Sequence, residues 1–185
     1  MHIVDFMNQK KSFTNLAFQS LYVSKECSNC PLIPDVINFI KGLGSINNLT
    51  ISHRFGRRTL INSNNTILKK IGKENFLEIV DYDPFKKILM VMGVKEVVND
   101  TPLHWYIHHA RDDVNVVLLI KDKKIDKIPI IDNKYPIWTI EQIKEVLGAL
   151  RNNKIVNIKD VGVLLVGNSL KDTENLYSKF RGKLK

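Results

Sequence analysis

The segment from Asn115 to Ile120 is the strongest constraint on the fold of this chain. After Asn115 it consists of five consecutive apolar residues, Val116-Val-Leu-Leu-Ile120. Successive side chains of a strand point to opposite faces of a sheet, so both faces of such a strand must be covered. The segment therefore predicts a central strand of a sheet that lies between helical layers.

Helix and strand patterns alternate along the rest of the chain. Apolar spacing of three and four predicts helices over residues 34–43, 101–112 and 139–152, and a last helix from Ser169. Short apolar runs between Gly, Asn and Ser turns predict strands over 48–52, 59–62, 77–82, 88–94, 155–158 and 163–166. Residues 12–24 show no clear period, and no element is predicted there. This order indicates a layered α/β domain.

Length and composition indicate one globular domain. The chain has 185 residues, of which 44% are hydrophobic and 25% charged, enough to bury a core. No apolar run approaches the roughly 18 residues of a membrane span. The start of the chain also lacks the basic-then-apolar order of a secretory signal. We therefore expect a cytoplasmic protein without a membrane partner.

The net charge of +9 suggests an anionic partner, but the basic residues are scattered. Small concentrations occur at Arg54, Arg57 and Arg58, at Lys121, Lys123, Lys124 and Lys127, and at Lys179, Arg181, Lys183 and Lys185. Charge runs of this size are typical of a solvated surface. An anionic small molecule remains a candidate partner, whereas nucleic-acid binding is expected to be weak.

Both cysteines lie in one motif, Cys27-Ser-Asn-Cys30, just before a predicted helix. A single CxxC supplies two of the four ligands of a structural zinc site. Two reduced structural thiols, a local disulfide, and a metal or redox role remain open, with the thiols favoured.

Three separated segments carry a family resemblance. His104, Ala110-Arg111, Asp113-Val114-Asn115 and Val117 resemble the helix-to-strand passage of the class II aldolase/adducin family. Residues 56–61 with 76–81 are similar to a family hairpin, and Gly162 with Gly167-Asn-Ser-Leu170 to a later glycine motif. The resemblance covers about 31–180, which predicts an extension over 1–30 and a domain over 31–185. It implies a three-layer α/β/α fold with a mainly antiparallel sheet, and a homo-oligomer, commonly a tetramer.

The resemblance also implies a zinc site, and this chain departs from it at every ligand. Family members place two His at i and i+2 of the central strand and a third before the later glycine. Leu119, Lys121 and Val161 stand at these positions. Two of these side chains have no lone pair, and an ammonium repels a dication. We therefore expect no metal and no other cofactor at this site.

The other functional positions are also altered. Asp100 stands where the family has a proton-transferring glutamate, and is either a weak catalytic candidate or the cap of the helix that begins at Thr101-Pro102. The family's phosphate-binding turns correspond to Asn47-Asn48, Asn64-Asn65 and Val98-Asn99. Asn48, Asn64, Asn65, Asn99 and Lys121 are therefore the candidate ligand-binding residues, although larger residues at these turns favour loss of phosphate binding.

The histidines of the predicted helix over residues 101–112 are candidates for a new metal site. His104 and His108 share a helix face at i and i+4, but no acidic or cysteine partner lies at motif spacing. We expect His108 and His109 to lie at the surface or at an interface, and His104 to be packed.

These changes predict a catalytically inactive class II aldolase-like domain, a pseudoenzyme retained as a binding or assembly module. The alternative is an enzyme or sensor for a small phosphorylated metabolite, an aldolase- or epimerase-like lyase with a remodelled site. A weak nucleic-acid-binding protein is the third hypothesis.

Overall fold

A computed structural model of the protein describes residues 18–132 and 134–185. In this part of the chain, nine strands form one sheet in the order β1-β5-β4-β3-β2-β6-β9-β8-β7. The strands are β1 Gln19–Ser24, β2 Leu49–Phe55, β3 Arg58–Asn62, β4 Phe76–Asp83, β5 Ile88–Met92, β6 Val116–Lys121, β7 Ile130–Ile131, β8 Ile155–Ile158 and β9 Gly162–Gly167. The outermost pairs, β1 with β5 and β7 with β8, are parallel, and the pairs between them are antiparallel. The sheet is thus mainly antiparallel, as the resemblance implied.

Four α-helices cover the described sheet, two on each face. They are α1 Ile33–Gly42, α2 Thr101–Ala110, α3 Ile140–Leu150 and α4 Leu170–Phe180. Apolar residues of α1 and α4 pack with one face, and those of α2 and α3 pack with the other. The three-layer α/β/α prediction is therefore confirmed. Helices α3 and α4 begin as their sequences indicate, since Thr139 and Ser169 accept hydrogen bonds from backbone amides of the first turn.

Strand β6 occupies the central position that its sequence predicts. Val116, Leu118 and Ile120 contribute to the apolar layer beneath α1 and α4. Val117 and Leu119 contribute to the layer beneath α2 and α3. Since both faces are buried, the strand positions both helical layers relative to each other.

The ends of the sheet contain the elements that the sequence did not predict. Strand β1 lies within residues 1–30 and pairs with β5, so residues 19–24 belong to the sheet. The strand is short, and its residues alternate between exposed and half-buried, which is typical of an edge strand. Residues 1–17 of the predicted extension over 1–30 lie outside the described residues, and the division at residue 30 stays a prediction.

Among the described residues, none of the helices combines the length and apolarity needed to cross a bilayer.

Candidate ligand-binding site

A seam of polar side chains runs between β2 and α2, inside a mostly apolar layer. Thr50, Ser52 and Arg54 alternate along β2 and therefore point to the face that α2 covers. Asp100, His104 and His108 recur every four residues and share one face of the helix. These side chains pair across the interface, Thr50 with Asp100 and Ser52 with both histidines.

Asp100 and Lys121 form an ion pair at one end of this seam. The Lys121 Nζ lies 2.7 Å from Oδ2 of Asp100, and the Thr50 hydroxyl donates to the same oxygen at 2.6 Å. The Asp100 side chain is 7% exposed and that of Lys121 is 23% exposed, so the pair is largely shielded from water. Asp100 holds the N-cap position of α2 but makes no side-chain capping bond. The helix-cap interpretation of its carboxylate is therefore wrong, because charged and hydroxyl donors from β6 and β2 engage it instead.

His104 and His108 share the Ser52 hydroxyl, and the surrounding hydrogen bonds fix their protons. Nδ1 of His108 lies 3.4 Å from the carbonyl oxygen of Val114, and a carbonyl only accepts, so this nitrogen carries the proton. Nε2 of His108 then accepts from Ser52 at 2.8 Å, and the Ser52 oxygen accepts from Nδ1 of His104 at 2.7 Å. Nε2 of His104 keeps a lone pair and has no partner among the described residues.

Burial keeps both of these imidazoles neutral. Desolvation, with the charge of Lys121 as a second cause, lowers the pKa of His104 to about 3. Desolvation, followed by the neighbouring His104, lowers the pKa of His108 to about 3. The expectation that His108 lies at the surface is wrong, because the helix face that it shares with His104 packs on β2. His109 is exposed and stacks on Trp105, with ring centroids 3.6 Å apart.

A cavity of about 620 Å³ opens at the Lys121 end of the seam. Its lining brings together four of the predicted ligand-binding residues, Asn48, Asn64, Asn65 and Lys121. Asn99 is exposed and does not line it; its neighbour Val98 does. The predicted residues thus share one cavity apart from Asn99, and their role in binding stays a prediction.

Several lining residues were not predicted from the sequence. They are Leu49, Asn62, Ser63, Thr66, Ile67, Leu68 and Lys69, whereas Asn47 and Val98 belong to turns that the sequence had already singled out. Asn62 is structural, because its amide oxygen accepts from the Ile51 backbone at 2.7 Å. Asn65 has a φ of 52°, the left-handed conformation that asparagine tolerates better than most residues. The run of polar residues 62–66 was the available signal for this turn.

The residues at the three zinc-ligand positions do not fit a metal. Leu119 is 0% exposed and lies in the apolar layer beneath α2 and α3. Lys121 donates to Asp100, and Val161 lines a different cavity, of about 720 Å³. Within residues 18–132 and 134–185, no cluster of three or more His, Cys, Asp or Glu side chains could hold a metal ion.

The CxxC motif lies apart from this site. Cys27 is exposed and Cys30 is buried against α1, and both are free thiols. Burial raises the pKa of the Cys30 thiol, which disfavours the reactive thiolate.

Comparison with solved structures identifies proteins that share this fold. No protein-family model matches the sequence, and no curated protein matches it. An L-fuculose 1-phosphate aldolase has a similar structure, with a TM-score of 0.65 and 12% identity over 84% of each chain. A sugar-phosphate aldolase from Thermotoga maritima has a TM-score of 0.64 and 11% identity, over 82% of this chain and 91% of that one.

A single domain of another protein is similar as well. The N-terminal class II aldolase domain of a conserved protein from Thermoplasma acidophilum has a TM-score of 0.60 and 11% identity, over 86% of this chain and 93% of that one. The chain therefore has the fold of the class II aldolases.

Proposed function

We propose that this chain is a metal-independent binding module with the class II aldolase fold, which holds a small anionic, phosphorylated metabolite in the asparagine-lined cavity. The observation that supports this most is the ion pair between Lys121 and Asp100. An ammonium now stands at a position where the resemblance implies a zinc ligand, bonded to the residue at the proton-transfer position. Zinc-dependent aldol chemistry lacks its electrophile in such a site.

The larger residues at the turns favoured loss of the family's phosphate site, but the cavity lining presents other groups suited to a phosphorylated ligand. Lys69 and Lys121 both line it, and only the latter has a carboxylate partner within 4.0 Å among the described residues. The amides of Asn47, Asn64 and Asn65 can donate to phosphate oxygens and exchange hydrogen bonds with hydroxyls. These groups support binding without requiring a metal.

Metal content tests the first half of the proposal. We expect no stoichiometric zinc after native purification, measured by elemental analysis of the wild type and of a Cys27→Ser, Cys30→Ser variant. The double variant separates the cysteines from the cavity. One zinc per chain that survives this double change would overturn the metal-independent hypothesis.

Binding and turnover assays test the second half. Short sugar phosphates should raise the melting temperature of the wild type, with a smaller effect on Lys121→Met, and none should undergo retro-aldol, epimerase or dehydratase turnover with added divalent metal. The alternative hypothesis is an enzyme acting on the same metabolites, supported by the carboxylate and neutral imidazole near the cavity. Turnover that Asp100→Asn abolishes would favour that enzyme.

We also propose that copies of this chain assemble as a homo-oligomer. Leu21 and Val23 on the edge strand β1 are about half exposed and support an interface there. Analytical ultracentrifugation of the wild type and of Leu21→Lys tests this; a monomeric wild type would contradict it.

A further inference from the structure

We infer that Lys121 captures its ligand covalently and reversibly, as an imine formed with the carbonyl group of a short hydroxylated aldehyde or ketone. The inference rests on the proposed binding function, because the ligand must first enter the asparagine-lined cavity. It assigns the Lys121 amine a role as nucleophile in addition to that of a cation.

Lys121 differs from the other lysine of the cavity in its surroundings. It is the last residue of the central strand β6, and its backbone is fixed by pairing with Gly162 of β9 and by a hydrogen bond that its amide donates to the Asn48 carbonyl. Its side chain is largely buried, but it reaches the cavity lining. Lys69 lines the same cavity from an exposed position in a short 3-10 helix, Leu68–Lys70. Of the two lysines that line the cavity, Lys121 is the one whose amine has both a fixed position and a proton acceptor at hydrogen-bond distance.

Asp100 provides the proton transfers that imine formation needs. The Lys121 ammonium must lose a proton before its nitrogen attacks, and Oδ2 of Asp100 lies 2.7 Å away to accept it. The nitrogen then forms a bond to the carbonyl carbon, and the resulting carbinolamine hydroxyl leaves as water with the proton that Asp100 returns. The ammonium and the carbonyl compound thus give a protonated imine and one water, with no oxidant or reductant.

Neighbouring groups keep Asp100 in place for these transfers. Thr50 donates to the same oxygen, which fixes the carboxylate while the Lys121 nitrogen changes its protonation. His104 remains neutral beside the pair, with an unprotonated Nε2, so it adds no positive charge that would oppose the protonated imine. The site therefore accommodates one positive charge at Lys121 both before and after the reaction.

The cavity lining selects the class of carbonyl compound. Side-chain amides both donate and accept hydrogen bonds, as hydroxyl groups do, and Asn47, Asn64 and Asn65 present three of them. A ligand with hydroxyl groups beside its carbonyl satisfies these amides better than an apolar aldehyde does. An anionic group on such a ligand could form an ion pair with the ammonium of Lys69, which also lines the cavity.

Reductive trapping tests the inference on the intact chain. The protein is incubated with glyceraldehyde 3-phosphate and cyanoborohydride, which reduces an imine to a stable secondary amine, and adducts are mapped by peptide mass spectrometry. We expect labelling of Lys121 to exceed that of Lys69 by about tenfold or more, as positioned acid–base groups typically provide. Asp100→Asn should abolish that preference while leaving Lys69 labelling unchanged. Equal labelling of the two lysines in the wild type would overturn the inference.

A parallel binding measurement separates this inference from the proposed function. Glycerol 3-phosphate keeps the anionic and hydroxyl groups but has no carbonyl carbon. If it raises the melting temperature of the wild type while Lys121 shows no preferential labelling, the cavity binds its ligand and the imine is refuted. If glycerol 3-phosphate has no effect and Lys121 is preferentially labelled, the imine is supported. If neither compound changes the melting temperature, and glyceraldehyde 3-phosphate does not label Lys121 preferentially, the proposed binding function itself is refuted.

Discussion

Single residues on β6 explain why this site departs from a zinc site. Leu119 and Lys121 stand two residues apart on the same face of the strand. Leu119 is enclosed by the apolar layer beneath α2 and α3, whereas Lys121 reaches the cavity and pairs with Asp100. Of these two positions, at which the resemblance implies zinc ligands, one lies in the core and the other has a carboxylate counter-ion.

The burial of Leu119 gives a prediction about restoring a metal site. Leu119→His should lower the free energy of unfolding by about 2–5 kcal/mol, because packing is lost and imidazole nitrogens are buried without partners. Val161→His, at a partly exposed position, should cost less than about 1 kcal/mol. Chemical denaturation measures both changes.

The triple variant Leu119→His, Lys121→His, Val161→His extends this test. We expect no strong stabilisation by zinc, because the three positions do not line one cavity. If Leu119→His alone is harmless and the triple variant gains a large zinc-dependent rise in melting temperature, the space is preformed and the packing argument fails.

The two buried histidines predict a pH dependence of stability. Each has a pKa near 3 in the folded state, against an ordinary value of 6.5. The unfolded chain therefore binds more protons, so their contribution is complete above pH 6.5 and is lost as the pH falls toward 3. As the pH falls from 6.5 to about 5, above the range in which carboxylates protonate, the loss from each histidine should steepen toward about 1.4 kcal/mol per pH unit.

A histidine substitution checks this assignment. Other charges near the pair are Lys121 beside His104, and Arg54 and His53 beside His108. Urea denaturation at a series of pH values should show a shallower slope for His108→Gln than for the wild type. An unchanged slope would mean that His108 is not a neutral buried group.

At the scale of elements, α2 is attached to β2 by polar contacts as well as by apolar packing. At its C-terminal end, the Nη2 of Arg54 donates to the backbone carbonyls of His108, Arg111 and Val114. These carbonyls lie in or just after the last turn of the helix, where the helix itself supplies no donors. Arg54 therefore closes the helix end and connects it to β2.

This role predicts that Arg54 stabilises the fold although it belongs to a basic cluster. Arg54→Met should cost about 2–4 kcal/mol, because partly buried carbonyls lose a charged donor. Arg57→Met is the matched control, since Arg57 is exposed in the same cluster, and it should change stability by less than about 0.5 kcal/mol. Thermal or chemical denaturation compares the two; equal effects would assign Arg54 to the solvated surface.

At the scale of the whole molecule, the net charge of +9 comes from basic residues that are dispersed along the sequence. Several basic residues form ion pairs within the chain: Lys121 with Asp100, Arg58 with Glu78, and Arg111 with Asp113. The remaining lysines are distributed over loops and helix faces. A dispersed positive charge attracts polyanions without selecting among their sequences.

We therefore predict weak and nonspecific binding to nucleic acid. Affinity should fall steeply from low to physiological salt, because counterion release supplies nearly all of the free energy. A salt titration with two DNA duplexes of different sequence, followed by fluorescence anisotropy, measures this. Tight binding at physiological salt to one duplex alone would instead establish a specific nucleic-acid function.

The sequence by itself determined the layered fold and most of its elements. Five apolar residues in succession require a strand covered on both faces, and β6 is that strand. Thr139 and Ser169 mark helix starts through bonds to amides three residues away. Such features are local, so they can be read from spacing alone. The altered zinc positions were also visible, because a ligand needs a lone pair wherever it lies.

Only the tertiary structure decided which polar residues meet. Asp100 and Thr50 are fifty residues apart in sequence, and their hydrogen bond replaces the helix cap that Asp100 was expected to provide. His108 is buried because α2 turns the face that it shares with His104 toward β2, which the weak amphipathic pattern of that helix did not indicate. The edge strand β1 likewise depends on its partner β5. These outcomes follow from contacts between segments that are distant in sequence, and sequence patterns report only local spacing.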